Sequence, residues 1–181
     1  MSLAARWAAA CTLAWLLGST IAIGPSSARG LLAVAALTIA ALMGAGQALA
    51  LGRRVPRWWW GVATAVGWLL GFVLRGVLAV DLGVRSDAAA SEASAYALML
   101  LASGLEGAVI ALVQAPVLAR RSPRWLLWLP ASGAAWAFAR AVGFEVSSSA
   151  IGAAYGIPTG LVLSWLLTSH RQAPRHDAPP P

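Results

Sequence analysis

The chain has 181 residues, of which 60% are hydrophobic and only 10% are charged. Since a soluble domain carries about a quarter charged residues, this composition excludes an ordinary soluble domain and predicts an integral membrane protein. The net charge of +7 comes from 13 arginines, which fall into short clusters between apolar runs. That pattern argues against a nucleic-acid partner and is typical of membrane topology.

Six apolar runs reach the length of about 20 residues that a membrane-spanning helix needs. In chain order they cover residues 4–23, 31–51, 58–80, 96–118, 125–143 and 147–167. Short connections with helix breakers such as Pro56 and Pro123 separate them. We therefore predict an all-α membrane bundle of six helices in one domain, residues 1–169, followed by a disordered tail over 170–181.

The distribution of arginines predicts the orientation of these helices. Nine lie at the chain start, in the second and fourth connections, and in the tail: Arg6, Arg53, Arg54, Arg57, Arg120, Arg121, Arg124, Arg171 and Arg175. Only Arg29 and Arg85 lie in the alternate connections. By the positive-inside rule, both termini of this multi-pass protein are cytoplasmic.

The first apolar run has a second interpretation, as a secretory signal peptide. It has a basic start and an apolar stretch, and Ser26, Ser27 and Ala28 offer a cleavage site. The internal repeat described next favours retention of this helix, because the helix forms half of the first copy.

The chain contains three related copies of a two-helix hairpin. The first, third and fifth helices carry tryptophans eight residues apart: Trp7 and Trp15, Trp60 and Trp68, Trp128 and Trp136. The second, fourth and sixth helices carry small residues at every fourth position: Ala40, Gly44, Ala48; Gly107, Ala111, Ala115; Gly152, Gly156, Gly160. Such strips let helix backbones approach closely, so we expect the glycines to pack helices together. If the hairpins are equivalent, they surround a pseudo-threefold axis along the membrane normal.

Each small-residue strip is accompanied by one polar residue: Gln47, Gln114 or Thr159. In one interpretation these side chains hold the bundle together by hydrogen bonds between helices. In the other they form a polar lining for a central path. Either way they need partners, because an unsatisfied amide in hydrocarbon is costly.

Three charged residues lie inside predicted helices, namely Arg75, Glu106 and Arg140. Their counterparts in the other copies are uncharged, and those of Glu106 are Ile39 and Ile151. Ionisable groups within a membrane are expensive and mark functional sites by default. We predict that Glu106 pairs with Arg75 or Arg140 in an outward-facing polar pocket. The alternative is an ion pair that only locks the bundle.

No catalytic, metal or nucleotide motif is visible in the sequence, so we predict no cofactor and disfavour an enzyme. His170 and His176 make no metal-ligand set. Two function classes stay open. The first is a structural or accessory membrane protein that binds lipids, a membrane-protein partner or a second copy of itself. The second is a small transporter or channel-like protein that uses the polar pocket around Glu106.

The stretch Gly44-Ala-Gly-Gln47, with the arginine-rich turn and tryptophans after it, resembles small polytopic bacterial membrane proteins of uncharacterised function. The second copy, Leu112-Val-Gln114, matches more loosely. Many such proteins carry tryptophan directly after the glutamine, where this chain has Ala48 and Ala115. The resemblance covers most of the chain. It implies a bacterial inner-membrane location and implies no activity.

Overall fold

The described part of the chain is entirely helical. The computed structural model describes residues 1–22, 29–86 and 92–168. Within these ranges six α-helices follow one another: α1 Leu3–Ala22, α2 Arg29–Leu51, α3 Arg57–Ser86, α4 Glu92–Ala119, α5 Trp128–Glu145 and α6 Ile151–Thr168. No strand occurs among those residues. The predicted all-α class with six helices is therefore confirmed.

The observed helix ends extend beyond several predicted ends. α3 continues to Ser86 and α4 begins at Glu92, because the prediction followed apolar runs, whereas helical backbone hydrogen bonds also form in segments with polar side chains. α5 and α6 are each preceded by a short 3-10 turn, Trp125–Leu127 and Ser148–Ala150. The predicted tail, 170–181, and the candidate cleavage site at residues 26–28 lie outside the described residues.

Three helical segments of the described chain are long and apolar enough to cross a membrane. They are Arg57–Leu78, Ala93–Ala119 and Ser148–Thr168. A fourth segment, Ala36–Leu51, is apolar but shorter. These segments fit a membrane protein, and the number of six crossings stays a prediction.

The six helices form a closed ring. Each packs against its neighbours in the chain, and α6 closes the ring by packing against α1. The start of α5 lies beside the end of α6, where the Arg124 guanidinium carbon is 5.0 Å from the centre of the Trp165 ring. The even-numbered helices thus end where the odd-numbered helices begin. We call this the arginine-rich end; its connections carry Arg53, Arg54, Arg57, Arg120, Arg121 and Arg124.

Six buried tryptophans fill the centre of the ring. They form two layers, Trp7, Trp60 and Trp128 nearer the arginine-rich end and Trp15, Trp68 and Trp136 farther away. Ring centres are 5.8, 6.2 and 6.3 Å apart in the first layer. In the second layer they are 6.1, 5.8 and 4.9 Å apart. Aromatic edges and faces in mutual contact therefore make the core.

Candidate functional site

The five glycines predicted to pack helices all lie where an even-numbered helix contacts an odd-numbered one. A Cβ atom added to Gly44 would lie 2.5 Å from the carbonyl oxygen of Gly61 on α3. One added to Gly107 would lie 2.6 Å from Cβ of Trp136 on α5. Gly152, Gly156 and Gly160 face α1 at comparably short range. These positions have no room for a methyl group unless the helices move apart.

Replacing Gly107 with alanine should destabilise the bundle by about 1–3 kcal/mol, because the added methyl group overpacks the contact between α4 and α5. Gly76→Ala is the matched control, since a Cβ atom there meets nothing within 4 Å. The control should be neutral or stabilising by up to about 1 kcal/mol, the helix-propensity difference. Denaturant unfolding in mild detergent, followed by circular dichroism, measures both. Equal stability of the two variants would contradict the close contact.

Gln47 and Gln114 meet in the interior of the ring. The Oε1 atom of Gln47 accepts hydrogen bonds from Trp60 Nε1 at 3.2 Å, from Thr64 Oγ1 at 3.1 Å and from Gln114 Nε2 at 3.4 Å. Gln114 Nε2 also donates to Thr64 Oγ1 at 2.8 Å. All four side chains are fully buried. The two glutamines therefore join α2, α3 and α4 through direct bonds.

Each tryptophan of the first layer donates its indole N–H to the polar residue of an even-numbered helix. The pairs are Trp60 with Gln47 at 3.2 Å, Trp128 with Gln114 at 2.8 Å and Trp7 with Thr159 at 3.0 Å. The three predicted polar residues thus have the same kind of partner. Thr159 lies outside the glutamine cluster and bonds α6 to α1.

A second set of bonds starts one helical turn after each of these tryptophans. Cys11, Thr64 and Ser132 each follow a first-layer tryptophan by four residues, which places them on the same helix face. Gln47 Nε2 donates to Cys11 Sγ at 3.6 Å and Gln114 Nε2 donates to Thr64 Oγ1 at 2.8 Å. The third side chain of this set, Ser132, bonds through its hydroxyl to the Tyr155 hydroxyl at 3.1 Å.

Together these contacts link each helix to the next, so that the side-chain hydrogen bonds and the helices between them close a cycle through all six helices. In ring order the bonded pairs are Cys11–Gln47, Gln47–Trp60, Thr64–Gln114, Gln114–Trp128, Ser132–Tyr155 and Thr159–Trp7. We call this the hydrogen-bond cycle. A glutamine is long enough to reach both neighbouring helices, whereas a threonine is not. On α6, Thr159 therefore bonds to Trp7 of α1, and Tyr155, one turn earlier, bonds to Ser132 of α5.

Glu106 lies between the two arginines that the sequence analysis named as its candidate partners. Its side chain is only 1% exposed, and its Oε2 atom is 3.8 Å from Arg75 Nε and 4.0 Å from Arg140 Nη2. The three residues come from α4, α3 and α5 respectively. The structure thus brings all three predicted charges together. If the three are ionised, the cluster carries a net charge of +1.

Arg140 covers the second tryptophan layer. Its guanidinium carbon is 5.9 Å from the centre of the Trp15 ring and 5.2 Å from that of Trp136, which are distances for cation–π attraction. Among the described residues, three buried atoms in this region lack a hydrogen-bond partner: Glu106 Oε2, Arg140 Nε and Trp136 Nε1. The charged cluster is thus incompletely hydrogen-bonded, unlike the hydrogen-bond cycle.

Sequence reasoning missed half of the hydrogen-bond cycle. Cys11 lies within an apolar run, where a free cysteine usually acts as a small buried hydrophobe, and neither Thr64 nor Ser132 nor Tyr155 was singled out from the sequence. The signal was present, since a side chain with a sulfur or hydroxyl follows the first tryptophan of each copy by four residues.

The arrangement offers binding and packing chemistry rather than a visible reaction centre. Within residues 1–22, 29–86 and 92–168, no group of three or more His, Cys, Asp or Glu side chains is placed to hold a metal ion. Comparisons of the chain with known protein families, with curated proteins and with solved structures find no match.

Proposed function

We propose that this chain is a bacterial inner-membrane protein with six crossings, arranged as three hairpins about a pseudo-threefold axis, with both termini in the cytoplasm. Its role is structural or accessory: it binds lipids, a membrane-protein partner or a second copy of itself and helps to organise a complex. The observation that carries this proposal is the hydrogen-bond cycle around the first tryptophan layer. The bacterial location rests on the sequence resemblance alone.

The hydrogen-bond cycle favours a structural role because it uses the polar groups of the interior for helix contacts. A polar path would present the amides of Gln47 and Gln114 to water. Here both side chains are fully buried, bonded to neighbouring helices and adjacent to the packed tryptophans. Direct hydrogen bonds between helices stabilise a bundle in lipid, where no hydrophobic force drives helices together.

The outer surface supports the membrane part of the proposal. Each helix presents at least one large apolar side chain that is more than half exposed: Leu13, Leu49, Val73, Leu101, Phe138 and Leu161. The interior meanwhile contains glutamine, threonine, serine and glutamate. Apolar side chains outside and hydrogen-bonded glutamine, threonine and serine side chains inside suit a hydrocarbon surrounding.

Labelling with a membrane-impermeant maleimide tests the six-crossing topology. Cys11 is buried, so the folded wild-type chain should stay unlabelled. Ser147→Cys should react in intact cells, and Pro123→Cys only after permeabilisation, since both positions are exposed on opposite sides of the proposed membrane. Labelling of both variants in intact cells would overturn the topology.

Co-purification in mild detergent tests the accessory role. We expect a protein partner, or a second copy, at constant stoichiometry, and no solute flux after reconstitution into liposomes. A lone monomer that carries a bound small solute would instead favour transport.

The second candidate function is a small transporter or channel-like protein with a polar pocket around Glu106. The observation that favours it is the charged cluster, where buried atoms of Glu106 and Arg140 lack hydrogen-bond partners. Ionisable groups in such surroundings often serve ion or proton pathways. Solute flux in liposomes that is abolished by Glu106→Gln, in a protein that remains folded, would establish it.

A further inference from the structure

A groove at the arginine-rich end opens between the start of α3 and the end of α4. Its volume is about 460 Å³, within the range of small-molecule sites. The groove is lined by Pro56, Trp59, Pro116, Val117, Arg120 and Arg121. Its lining thus combines four apolar residues with two arginines.

We infer that this groove binds the headgroup of an anionic phospholipid, an assignment that rests on the membrane location proposed above. The guanidinium groups of Arg120 and Arg121 can donate several charge-assisted hydrogen bonds to a phosphodiester. The carboxyl end of α4 adds only about half an elementary negative charge, which two arginines outweigh.

The residues around the groove suit a negatively charged headgroup at the surface of the proposed membrane. Six arginines and no Asp or Glu occur in the segments 49–60 and 115–128. Trp58 and Trp59 stack with ring centres 3.9 Å apart and are each at least half exposed, as expected of an aromatic belt. The headgroup would therefore meet positive charge and aromatic rings together.

The apolar side of the groove suits the acyl chains. From Trp59 the exposed side chains of Val62 and Val66 continue along α3, and Leu112 lies one turn before Pro116 on α4. An apolar track thus leads from the groove along the outside of both helices. In the proposed topology this track faces the bilayer, so acyl chains lie along it and bring lipid headgroups to the level of the groove. A soluble phosphate ester would gain nothing from the track, so we commit to the lipid.

The test is lipid binding by the purified full chain in mild detergent, measured by native mass spectrometry. Phosphatidylglycerol is the probe and phosphatidylcholine the neutral comparison. We expect wild type to bind phosphatidylglycerol preferentially. The double variant Arg120→Gln/Arg121→Gln should bind it at least about tenfold more weakly, since charge-assisted hydrogen bonds are lost.

Arg53→Gln/Arg54→Gln is the matched control, because it removes the same charge from the corresponding turn, and neither residue is among those lining the groove. Its affinity for phosphatidylglycerol should fall far less than that of Arg120→Gln/Arg121→Gln, because it removes no residue that lines the groove. Circular dichroism checks that both variants are folded. Equal losses in the two variants would overturn the inference, because they would indicate unspecific attraction to the positive end.

Competition identifies the ligand class. Inorganic phosphate or glycerol phosphate that displaces the lipid at equal concentration would overturn the lipid assignment and indicate a soluble phosphate ester. A negative result for lipid binding in the groove is distinguishable from a negative result for the proposed function. The binding assay runs in detergent without a partner, whereas the topology and co-purification tests do not depend on Arg120 or Arg121.

Discussion

Replacing Glu106 with glutamine should lower the free energy of unfolding by about 3–5 kcal/mol. The variant keeps the size of the side chain but removes the negative charge between Arg75 and Arg140. Two partly buried guanidinium groups would then face each other without a counterion. Denaturant unfolding in mild detergent measures the loss, with Glu145→Gln as the control. Glu145 is exposed at the end of α5, so the control should change stability by less than about 0.5 kcal/mol.

A triple variant separates the charge effect from packing. Arg75→Ala, Glu106→Ile and Arg140→Ser install the residues that the first copy carries at the corresponding positions, Ala22, Ile39 and Ser19. Ile39 of α2 already packs against Gly18 of α1, as Glu106 packs against Gly71. Because replacing all three charges by uncharged residues leaves no unpaired charge in the bundle, the triple variant should recover most of the lost stability. Stability as low as in Glu106→Gln would show that the charges themselves hold α3, α4 and α5 together.

The triple variant also separates the two candidate functions. A structural or accessory protein should keep its partner when the cluster is replaced by uncharged residues and the bundle still folds. A transporter should fold and lose solute flux. The same preparation can be examined by co-purification and in liposomes.

Replacing Gln47 with methionine should destabilise the bundle by about 2–5 kcal/mol. Methionine keeps the approximate volume, but Trp60, Thr64 and Gln114 lose a shared acceptor in a buried place. Thr38→Val on the same helix is the control. Among the described residues, the Thr38 hydroxyl bonds only to the carbonyl of Val34 in its own helix, at 2.8 Å, so the substitution removes no bond between described helices.

The double variant Gln47→Met/Gln114→Met tests whether the hydrogen-bond cycle acts as a unit. Both glutamines bond to Thr64 and to each other, so their effects should differ from additivity by about 0.5–3 kcal/mol. Additive losses, or a Gln47→Met variant as stable as Thr38→Val, would contradict a cooperative structural network. That outcome would favour the alternative in which the two glutamines form the polar lining of a central path for solutes.

Local patterns in the sequence predicted much of this molecule. Apolar runs of suitable length located six helices, because each run must be buried or face lipid along its whole length. Small residues at every fourth position located the close contacts at Gly44 and Gly107, since that spacing keeps them on one helix face. The positions of the polar residues Gln47 and Gln114 next to these strips indicated bonds between helices.

Other features could not be predicted from such patterns. Gln47 and Trp60 are 13 residues apart, whereas Gln114 and Trp128 are 14 residues apart. The additional residue falls where a 3-10 turn precedes α5, and no pattern in the sequence predicted that turn or the Gln114–Trp128 bond that accompanies it. Tyr155 has the apolar counterparts Met43 and Ile110, so the repeat gave no reason to expect a hydroxyl partner there.

The sequence by itself therefore determined the helical class and the apolar composition, and it predicts three related hairpins. These depend on residue type and on spacing within one helix. Only the tertiary structure decided that six polar contacts close into a cycle around tryptophans, and that Glu106 faces both arginines. Those contacts depend on the rotation and separation of different helices. Small changes in either would move a side chain beyond hydrogen-bond reach, and no pattern within a single helix encodes them.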